Sequence, residues 1–255
     1  MYDTKLVAQA DSKITVTSQG ISHEADLYSQ EGLEMVASLW TKLSAQYRIM
    51  YEPTWLGIPI IQFPADILMM EELIWKVRPD FIIECGLAHG GSAVMFASIC
   101  ELIGKGQVIG VDVEIRQYNR AAITSHPMSK RIELIEGSST DDSIVAEIKK
   151  RVAGAETVLV VLDSNHSRDH VLKELNSYCE IVTPNSYMVA MDGAQALVWD
   201  TPNGKEEWKD DNPLVAIHEF LNKNPNFQID PHYTRMHVTS SPDGFLRRLT
   251  TEELK

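Results

Sequence analysis

The sequence predicts an α/β protein: a mostly parallel central sheet flanked by helices, with a helical extension at the N-terminus. Short, fully apolar runs alternate with segments that have the periodicity of amphipathic helices, a pattern typical of a parallel sheet buried on both faces. Several of these runs end at an acidic residue. Since ligands of such sheets bind at the carboxyl ends of the strands, the acids indicate a functional edge.

The composition narrows the class of protein. A chain of 255 residues forms one substantial core. Its formal charge of −13 argues against nucleic acid or an anionic membrane as the main partner, because both require clustered Lys and Arg. Cys85, Cys100 and Cys179 are widely separated, which predicts neither disulfides nor a zinc pair. Without a signal-peptide core or an apolar run near ~20 residues, we predict a cytoplasmic protein that does not insert into membranes.

The N-terminal part is interpreted as an arm or cap followed by a helix. The first thirty residues are polar and aperiodic, whereas Glu31–Met50 has helical periodicity. The apolar residues that would cover one face of this helix are Leu33, Val36, Ala37, Trp40, Leu43 and Tyr47. This face would pack on the main domain or on a neighbouring subunit, and the sequence leaves both open. We assign residues 1–52 to this arm and helix, and 53–255 to the main domain.

The main domain begins with a Pro-marked segment and a predicted helix over Asp66–Val77. The predicted strands are Phe81–Glu84, Val108–Val111, Ile132–Ile135, Val158–Leu162, Tyr187–Met191, Phe227–Asp230 and Gly244–Leu249. The further predicted helices are Ser92–Ile103, Ser143–Val152, Asp169–Cys179 and Pro213–Leu221.

A glycine turn follows the first of these strands, in the stretch ECGLAHGGS from Glu84 to Ser92. Gly86 and Gly90 frame a strand-to-helix turn in which the backbone can approach a ligand closely. The spacing differs from the G-x-G-x-x-G of pyrophosphate binding, which suits S-adenosylmethionine because this cofactor has no phosphates. We expect Glu84 to hold its ammonium group. A purely structural turn is the alternative.

Two further strand ends fit the same ligand. Asp112 closes the second strand, where an acid accepts hydrogen bonds from both ribose hydroxyls. Ser138 and Ser139 follow the third strand, where the loop would pass an adenine ring. Gln62, Thr54 and Trp55 would close the site from the Pro-marked segment. The candidate cofactor-binding residues are Gln62, Glu84, Gly86, Ala88, Gly90, Ser92, Asp112, Val113, Ser138, Ser139 and Asp163.

Asp163 and Asp192 lie at the next two strand ends and are the candidate metal ligands. Adjacent carboxylates suit a hard divalent cation such as Mg²⁺, which would anchor a substrate hydroxyl and lower its pKa. His166, three residues past Asp163, would take the proton as a neutral imidazole, so His166 and Asp163 are the candidate catalytic residues. Alternatively, Asp163 caps a helix and His166 is a solvated loop residue.

Two other chemistries are excluded by spacing. His166 and His170 are spaced like zincin ligands, but Ser167 stands where that motif requires Glu. Ser92 does not form a nucleophile elbow, because Val94 stands where the elbow requires Gly.

The stretches ECGLAHGGSA and LDSNHSRDHVL, with IGVDVEIR, IELIEGSSTDD and a closing GFLRR, resemble the cephalosporin hydroxylase/rhamnosyl O-methyltransferase family. The resemblance runs from about Tyr51 to Arg248. It implies a Rossmann-like class I methyltransferase fold and homo-oligomers. It also implies that the glycine loop, Asp112 and the Ser138 loop bind S-adenosylmethionine, and that metal-bound Asp163 works with His166.

This chain departs from the family at one place. Members typically have two consecutive carboxylates after the fifth strand, whereas Met191 precedes Asp192 here. Without a metal, His166 and Asp163 would act as base and orienter. Hydroxylation, which the family name suggests, is rejected because no histidine is followed two positions later by the acid of an iron triad.

We therefore expect an S-adenosylmethionine-dependent O-methyltransferase whose acceptor is a hydroxyl of a sugar or glycosylated small molecule. A phenolic or amine acceptor, or a non-catalytic homologue that binds the cofactor, is the alternative. The polar segment Gln195–Asn212 would form a lid in which Trp199 and Trp208 stack on a sugar, or it is a surface loop.

Overall fold

The computed structural model describes residues 5–8, 12–18 and 20–254. The chain begins with a three-stranded antiparallel sheet, in the order β1 (Lys5–Ala8), β2 (Lys13–Ser18) and β3 (Ile21–Asp26). The sequence did not predict these strands. Among the side chains of β2 and β3 whose burial the structure describes, Ile14 and its partner Ala25 are the buried ones, so these strands show no clear alternation in the sequence.

Helix α1 (Gln30–Tyr47) follows. It begins at Ser29, whose hydroxyl accepts a hydrogen bond from the Gly32 amide at 3.0 Å, and it ends at Arg48 in the left-handed conformation. A short hairpin of β4 (Thr54–Trp55) and β5 (Ile58–Pro59) then leads into the main domain. Its turn, Leu56-Gly57, has positive φ at both residues, which is the requirement of a two-residue hairpin turn of type I′.

The central sheet has seven strands in the order β11-β12-β10-β9-β6-β7-β8. The strands are β6 (Phe81–Cys85), β7 (Gln107–Asp112), β8 (Ile132–Glu136), β9 (Val158–Leu162), β10 (Tyr187–Ala190), β11 (Phe227–Ile229) and β12 (Phe245–Arg248). The five from β6 to β10 are parallel, and β12 runs antiparallel to both β10 and β11. The predicted fold class is confirmed.

Seven helices of the described chain follow α1: α2 (Pro64–Val77), α3 (Gly91–Ile103), α4 (Gln117–Ser125), α5 (Asp142–Arg151), α6 (Arg168–Tyr178), α7 (Gln195–Val198) and α8 (Pro213–Lys223). Most predicted helix ends lie within two residues of the observed ones; α1 ends three residues before the predicted Met50. The sequence did not predict α4, because it buries just Asn119 and Ile123, nor the single turn α7.

The core lies on both faces of the sheet. Along β6, Ile82 packs on the side of α2 and α3, and Ile83 packs on the opposite side with α5, α6 and α8. This arrangement places the carboxyl ends of five parallel strands at one edge. The three cysteines are free, as expected. Among the described residues, no helix is both long and apolar enough to cross a membrane.

Candidate active site

A cavity of about 800 Å³ opens at the carboxyl ends of the parallel strands. It collects nearly all of the residues that the sequence analysis singled out. Those lining it are Gln62, Gly86, Ala88, Ser92, Asp112, Val113, Ser138, Ser139, Asp163, His166 and Asp192. The cavity lining does not include Glu84 and Gly90.

The glycine loop has a strict steric requirement at Gly86. Its φ is +96°, and a Cβ there would lie 1.9 Å from the carbonyl oxygen of Asp163. The loop therefore touches the start of the segment that carries the acidic cluster. Gly90 also has a positive φ, and a Cβ on it would meet the side chain of Ile123 on α4. Gly90 thus has a packing role, whereas Gly86 both packs and faces the cavity.

Asp112 holds the same loop from the next strand. Its Oδ2 accepts hydrogen bonds from the amides of Leu87 at 2.8 Å and Ala88 at 3.3 Å, and its Oδ1 accepts one from Glu114 at 3.1 Å. The carboxylate also lines the cavity. It therefore fixes the loop in addition to any contact with a ligand.

Glu84 and Gln62 are buried polar side chains without partners. Glu84 is fully buried, Gln62 is almost so, and neither the carboxylate nor the amide group has a hydrogen-bond partner among the described residues. Burial raises the pKa of Glu84 to about 8; the nearby Ser92 hydroxyl lowers this pKa in part, and the negative charge of Asp112 adds to the rise. Because buried polar groups are normally satisfied, both side chains indicate a polar ligand group nearby.

Beneath the cavity, Glu174 connects two of its loops. The Ser139 hydroxyl, after β8, donates to Oε1 of Glu174 at 2.5 Å, and the Ser164 hydroxyl, after β9, donates to the same atom at 2.7 Å. His170 contacts both hydroxyls. The Ser139 side chain is therefore directed into this network. Glu174 lies on α6, and the residue spacing of this helix does not distinguish Glu174 from its other polar residues. For this reason Glu174 was not identified from the sequence.

Asp163, His166 and Asp192 form a compact cluster, with one ligand atom of each within 4.8 Å of the others. Nδ1 of His166 donates to Oδ2 of Asp192 at 2.6 Å. This bond leaves Nε2 without a hydrogen-bond partner among the described residues. Asp192 has a φ of +60°, a conformation that non-glycine residues seldom adopt and that is often retained at functional sites.

The charges of this cluster influence one another. Burial lowers the pKa of His166, but the carboxylates of Asp192 and Asp163 outweigh it and raise that pKa to about 9. Burial and the charge of Asp192 raise the pKa of Asp163 well above its ordinary value. Two acids that repel each other at close range are a favourable site for a divalent cation.

Met191 lies outside the cluster. Its side chain is 3% exposed within the core on the α2–α3 side of the sheet, where the Ser241 hydroxyl contacts its sulfur at 3.2 Å. Met191, which stands where family members typically have a carboxylate, therefore leaves the cluster of Asp163, His166 and Asp192 intact. The neighbouring segment is held by the buried Asp66 of α2, which accepts from the Thr239 hydroxyl and from the amide and hydroxyl of Ser240. This role of Asp66 was not predicted from the sequence.

The outer side of the cavity is built by α1 and by the segment after α7. Thr41 and Ala45 line the cavity from α1, and Arg48 lines it from the residue that follows this helix. Gln195 of α7 and Trp208 line the cavity from the other side. Of the two tryptophans in the predicted lid segment, Trp208 lines the cavity. Trp199, Thr54 and Trp55 are absent from the lining. Trp55 instead packs on α3, where its indole nitrogen donates to Ser98 at 3.0 Å.

Two contacts tie these walls together across the chain. The Lys42 ammonium group of α1 donates to both carboxylate oxygens of Asp200, at 2.8 and 2.7 Å. The side chain of Asn203 donates to the carbonyl of Gln46 at 2.9 Å. The N-terminal helix, which the sequence analysis separated from the main domain at residue 52, therefore forms part of the wall of the site.

The strand order, with its glycine loop and acidic strand ends around one cavity, defines a Rossmann-like class I methyltransferase. More specifically, the chain belongs to the rhamnosyl O-methyltransferase/CmcI family, whose model matches residues 47–249.

Relatives and solved structures agree with this assignment. The rhamnosyl O-methyltransferase of Mycobacterium tuberculosis is 29% identical over 208 residues, which cover 76% of this chain and 78% of the relative. That of Mycobacterium leprae is 30% identical over 141 residues, or 54% and 59% of the two chains. An apo structure of CmcI shares the fold with a TM-score of 0.57 at 18% identity, over 79% of this chain and 78% of that one. A CmcI structure with Mg and SAM gives 0.55 at 19% identity, over 78% of each chain.

Proposed function

We propose that this protein transfers the methyl group of S-adenosylmethionine to a hydroxyl of a sugar or a glycosylated small molecule. The observation that carries the proposal is the position of the His166–Asp192 pair in the same cavity as the glycine loop. The family relationship supports the reaction class, and the name of the mycobacterial relatives supports a sugar acceptor.

The residues present fit the cofactor. Glu84 is a buried carboxylate without a partner and suits an ammonium group, and the amide of Gln62 suits the adjacent carboxylate. Asp112 lines the cavity at the second strand end, where the ribose hydroxyls of such cofactors bind. The small residues of the glycine loop allow close approach of the ligand.

His166 is the proposed general base. The hydrogen bond from its Nδ1 to Asp192 fixes the ring and leaves Nε2 to accept the acceptor's proton. As the acceptor oxygen forms its bond to the methyl carbon, the carbon–sulfur bond breaks and S-adenosylhomocysteine leaves. A divalent cation such as Mg²⁺, held by Asp163 and Asp192, would anchor the hydroxyl and offset the charge that keeps His166 protonated.

The acceptor would occupy the outer side of the cavity. The wall there combines the aromatic ring of Trp208 with polar groups of Thr201, Gln195 and Asn203. An aromatic face with surrounding donors and acceptors suits a sugar ring. A cytoplasmic location and a homo-oligomeric state stay predictions.

The test begins with calorimetry. Binding of S-adenosylmethionine and S-adenosylhomocysteine is expected, and absence of both would refute the methyltransferase assignment. Transfer of labelled methyl groups is then measured with and without chelator, on methyl rhamnoside, a catechol and a primary amine. Turnover on the rhamnoside supports the proposal, whereas preference for catechol or amine supports the alternative acceptors. Binding without any turnover on this panel favours the non-catalytic alternative.

A further inference from the structure

Helix α1 has an apolar stripe on its solvent face, formed by Leu33, Val36, Trp40, Leu43 and Tyr47. These side chains are 41–72% exposed. No other described helix exposes as many large apolar side chains. The sequence is compatible with packing of this face on the main domain or on a neighbouring subunit, and in the structure its five large side chains stay exposed.

A side of α1 next to the stripe already has its contacts, because Ala37 and Ser44 each lie four residues after a stripe residue, Leu33 and Trp40. Gly32, Ala37, Thr41 and Ser44 are the buried residues, and they face the remainder of the chain. The helix is therefore attached through one side, and the apolar stripe lies beside that side and stays exposed. An exposed stripe of this kind marks an interaction site in a water-soluble protein.

The spacing of the stripe indicates what covers it. Its residues follow one another at intervals of three, four, three and four, which is the repeat of a helix that packs against another helix of the same repeat. The long helices of the sheet domain have their apolar faces in the two cores. A helix with the matching repeat is thus supplied by α1 of another copy.

The size and charge of the stripe agree with this occupant. From the exposed fractions of its five side chains, its exposed area is roughly 500 Å² per copy, so complete burial in two copies would reach about 1,000 Å², the lower limit of a specific interface. The five positions carry no charge, although the chain has a formal charge of −13. A basic rim, which would favour an anionic lipid surface, is missing.

We propose that two copies of this chain associate through α1, with the stripes packed on each other and Trp40, the central residue, nearest the two-fold axis. Most of α1 precedes the residues 47–249 that match the family, so this surface is not part of the shared domain. The attached side of α1 carries Thr41 and Ala45 into the cavity, so the contact would brace one wall of the site.

The test is the mass of the full chain in solution at micromolar concentration, by light scattering and sedimentation. Trp40→Glu and Leu43→Glu are expected to lower the mass of the wild-type oligomer at least twofold. Trp75→Glu on α2 is the matched control, because Trp75 is also 49% exposed. It should leave the mass unchanged. Circular dichroism and S-adenosylhomocysteine binding confirm that each variant is folded.

A second measurement does not depend on a destabilising charge. Trp40→Cys, in a Cys179→Ser background, should form a disulfide between copies under mild oxidation, whereas Trp75→Cys should not. A monomeric wild-type protein, an unchanged mass in both stripe variants, or a fall in mass with Trp75→Glu alone would overturn the proposal. A monomer that sediments with neutral phosphatidylcholine vesicles would assign the stripe to lipid instead.

Discussion

Asp192 accepts a hydrogen bond from Nδ1 of His166 at 2.6 Å, although the two residues follow different strands of the sheet. The bond links the segments that follow β9 and β10 at the cavity, and Asp192 has a left-handed backbone conformation with a φ of +60°. It gives the histidine a defined orientation, with Nε2 left to face a substrate. The pair therefore supports the general base and orienting acid that we propose.

Replacement of His166 tests this role. His166→Ala should lower kcat by roughly 10²- to 10⁴-fold, the usual contribution of a general base, without weakening the binding of S-adenosylhomocysteine. His170→Ala is the control, because His170 also lines the cavity but contacts the Ser139 and Ser164 hydroxyls. Steady-state kinetics and calorimetry distinguish the two. Comparable kcat losses in both variants would argue against His166 as the base.

The residues at the strand ends could be predicted because a parallel sheet brings the carboxyl ends of its strands to one edge. Fully apolar runs such as VLVVL have one stable environment, a strand buried on both faces, and the residue that follows each run must lie at the same edge. Asp112, Asp163 and Asp192 were therefore placed in one site without any contact being known. The helices with strong periodicity could also be predicted, because an apolar face of helical spacing has to pack on the sheet.

What the sequence could not predict depends on contacts between distant segments. Glu174 joins two loops from a position on a helix, and Asp66 binds residues more than 170 positions away. The apolar face of α1 was recognised, but its periodicity does not tell which side meets the domain. In the structure a face of small residues, including Ala37 and Ser44, packs inward. The larger residues remain outside.

The raised pKa of Glu84 predicts a pH dependence of cofactor binding. With a pKa of about 8, Glu84 is mostly protonated at neutral pH, and binding of an ammonium group requires its charged form. The affinity for S-adenosylmethionine should therefore rise up to tenfold per pH unit from about pH 6 and level off near pH 8. Calorimetry across this range measures it. Methylthioadenosine, which lacks the ammonium group, should show no such rise.

Glu84→Gln provides the complementary stability test. A carboxyl group whose pKa is raised on folding adds stability at acid pH that is lost as the pH rises from about 4.5 to 8. The wild-type protein should thus lose stability relative to Glu84→Gln between pH 5 and pH 8. Urea unfolding without ligand checks this. A constant difference across that range would show that Glu84 does not titrate as described.

The contact between Lys42 and Asp200 should position the acceptor wall. Their side chains are 30% and 14% exposed, so the pair is partly shielded from water and worth about 1 kcal/mol. Lys42→Ala should raise the KM for the acceptor several-fold and leave the Kd for S-adenosylmethionine unchanged. Lys149→Ala, which breaks a more exposed ion pair with Glu180 away from the cavity, is the control. If the exchanged pair Lys42→Asp/Asp200→Lys does not recover the KM better than either single variant, the contact is not the cause.

The steric demand at Gly86 can be separated from its backbone conformation. Gly86 and Gly104 both have φ near +90°, so an alanine is strained at either position. A Cβ at Gly104 meets nothing within 4 Å, whereas one at Gly86 would lie 1.9 Å from the Asp163 carbonyl oxygen. Gly104→Ala should therefore cost about 1 kcal/mol of unfolding free energy. Gly86→Ala should cost several-fold more, since backbone must move, and it should also displace Asp163 and weaken cofactor binding. Urea unfolding and calorimetry measure both effects, and equal losses in the two variants would mean that φ alone requires glycine at Gly86.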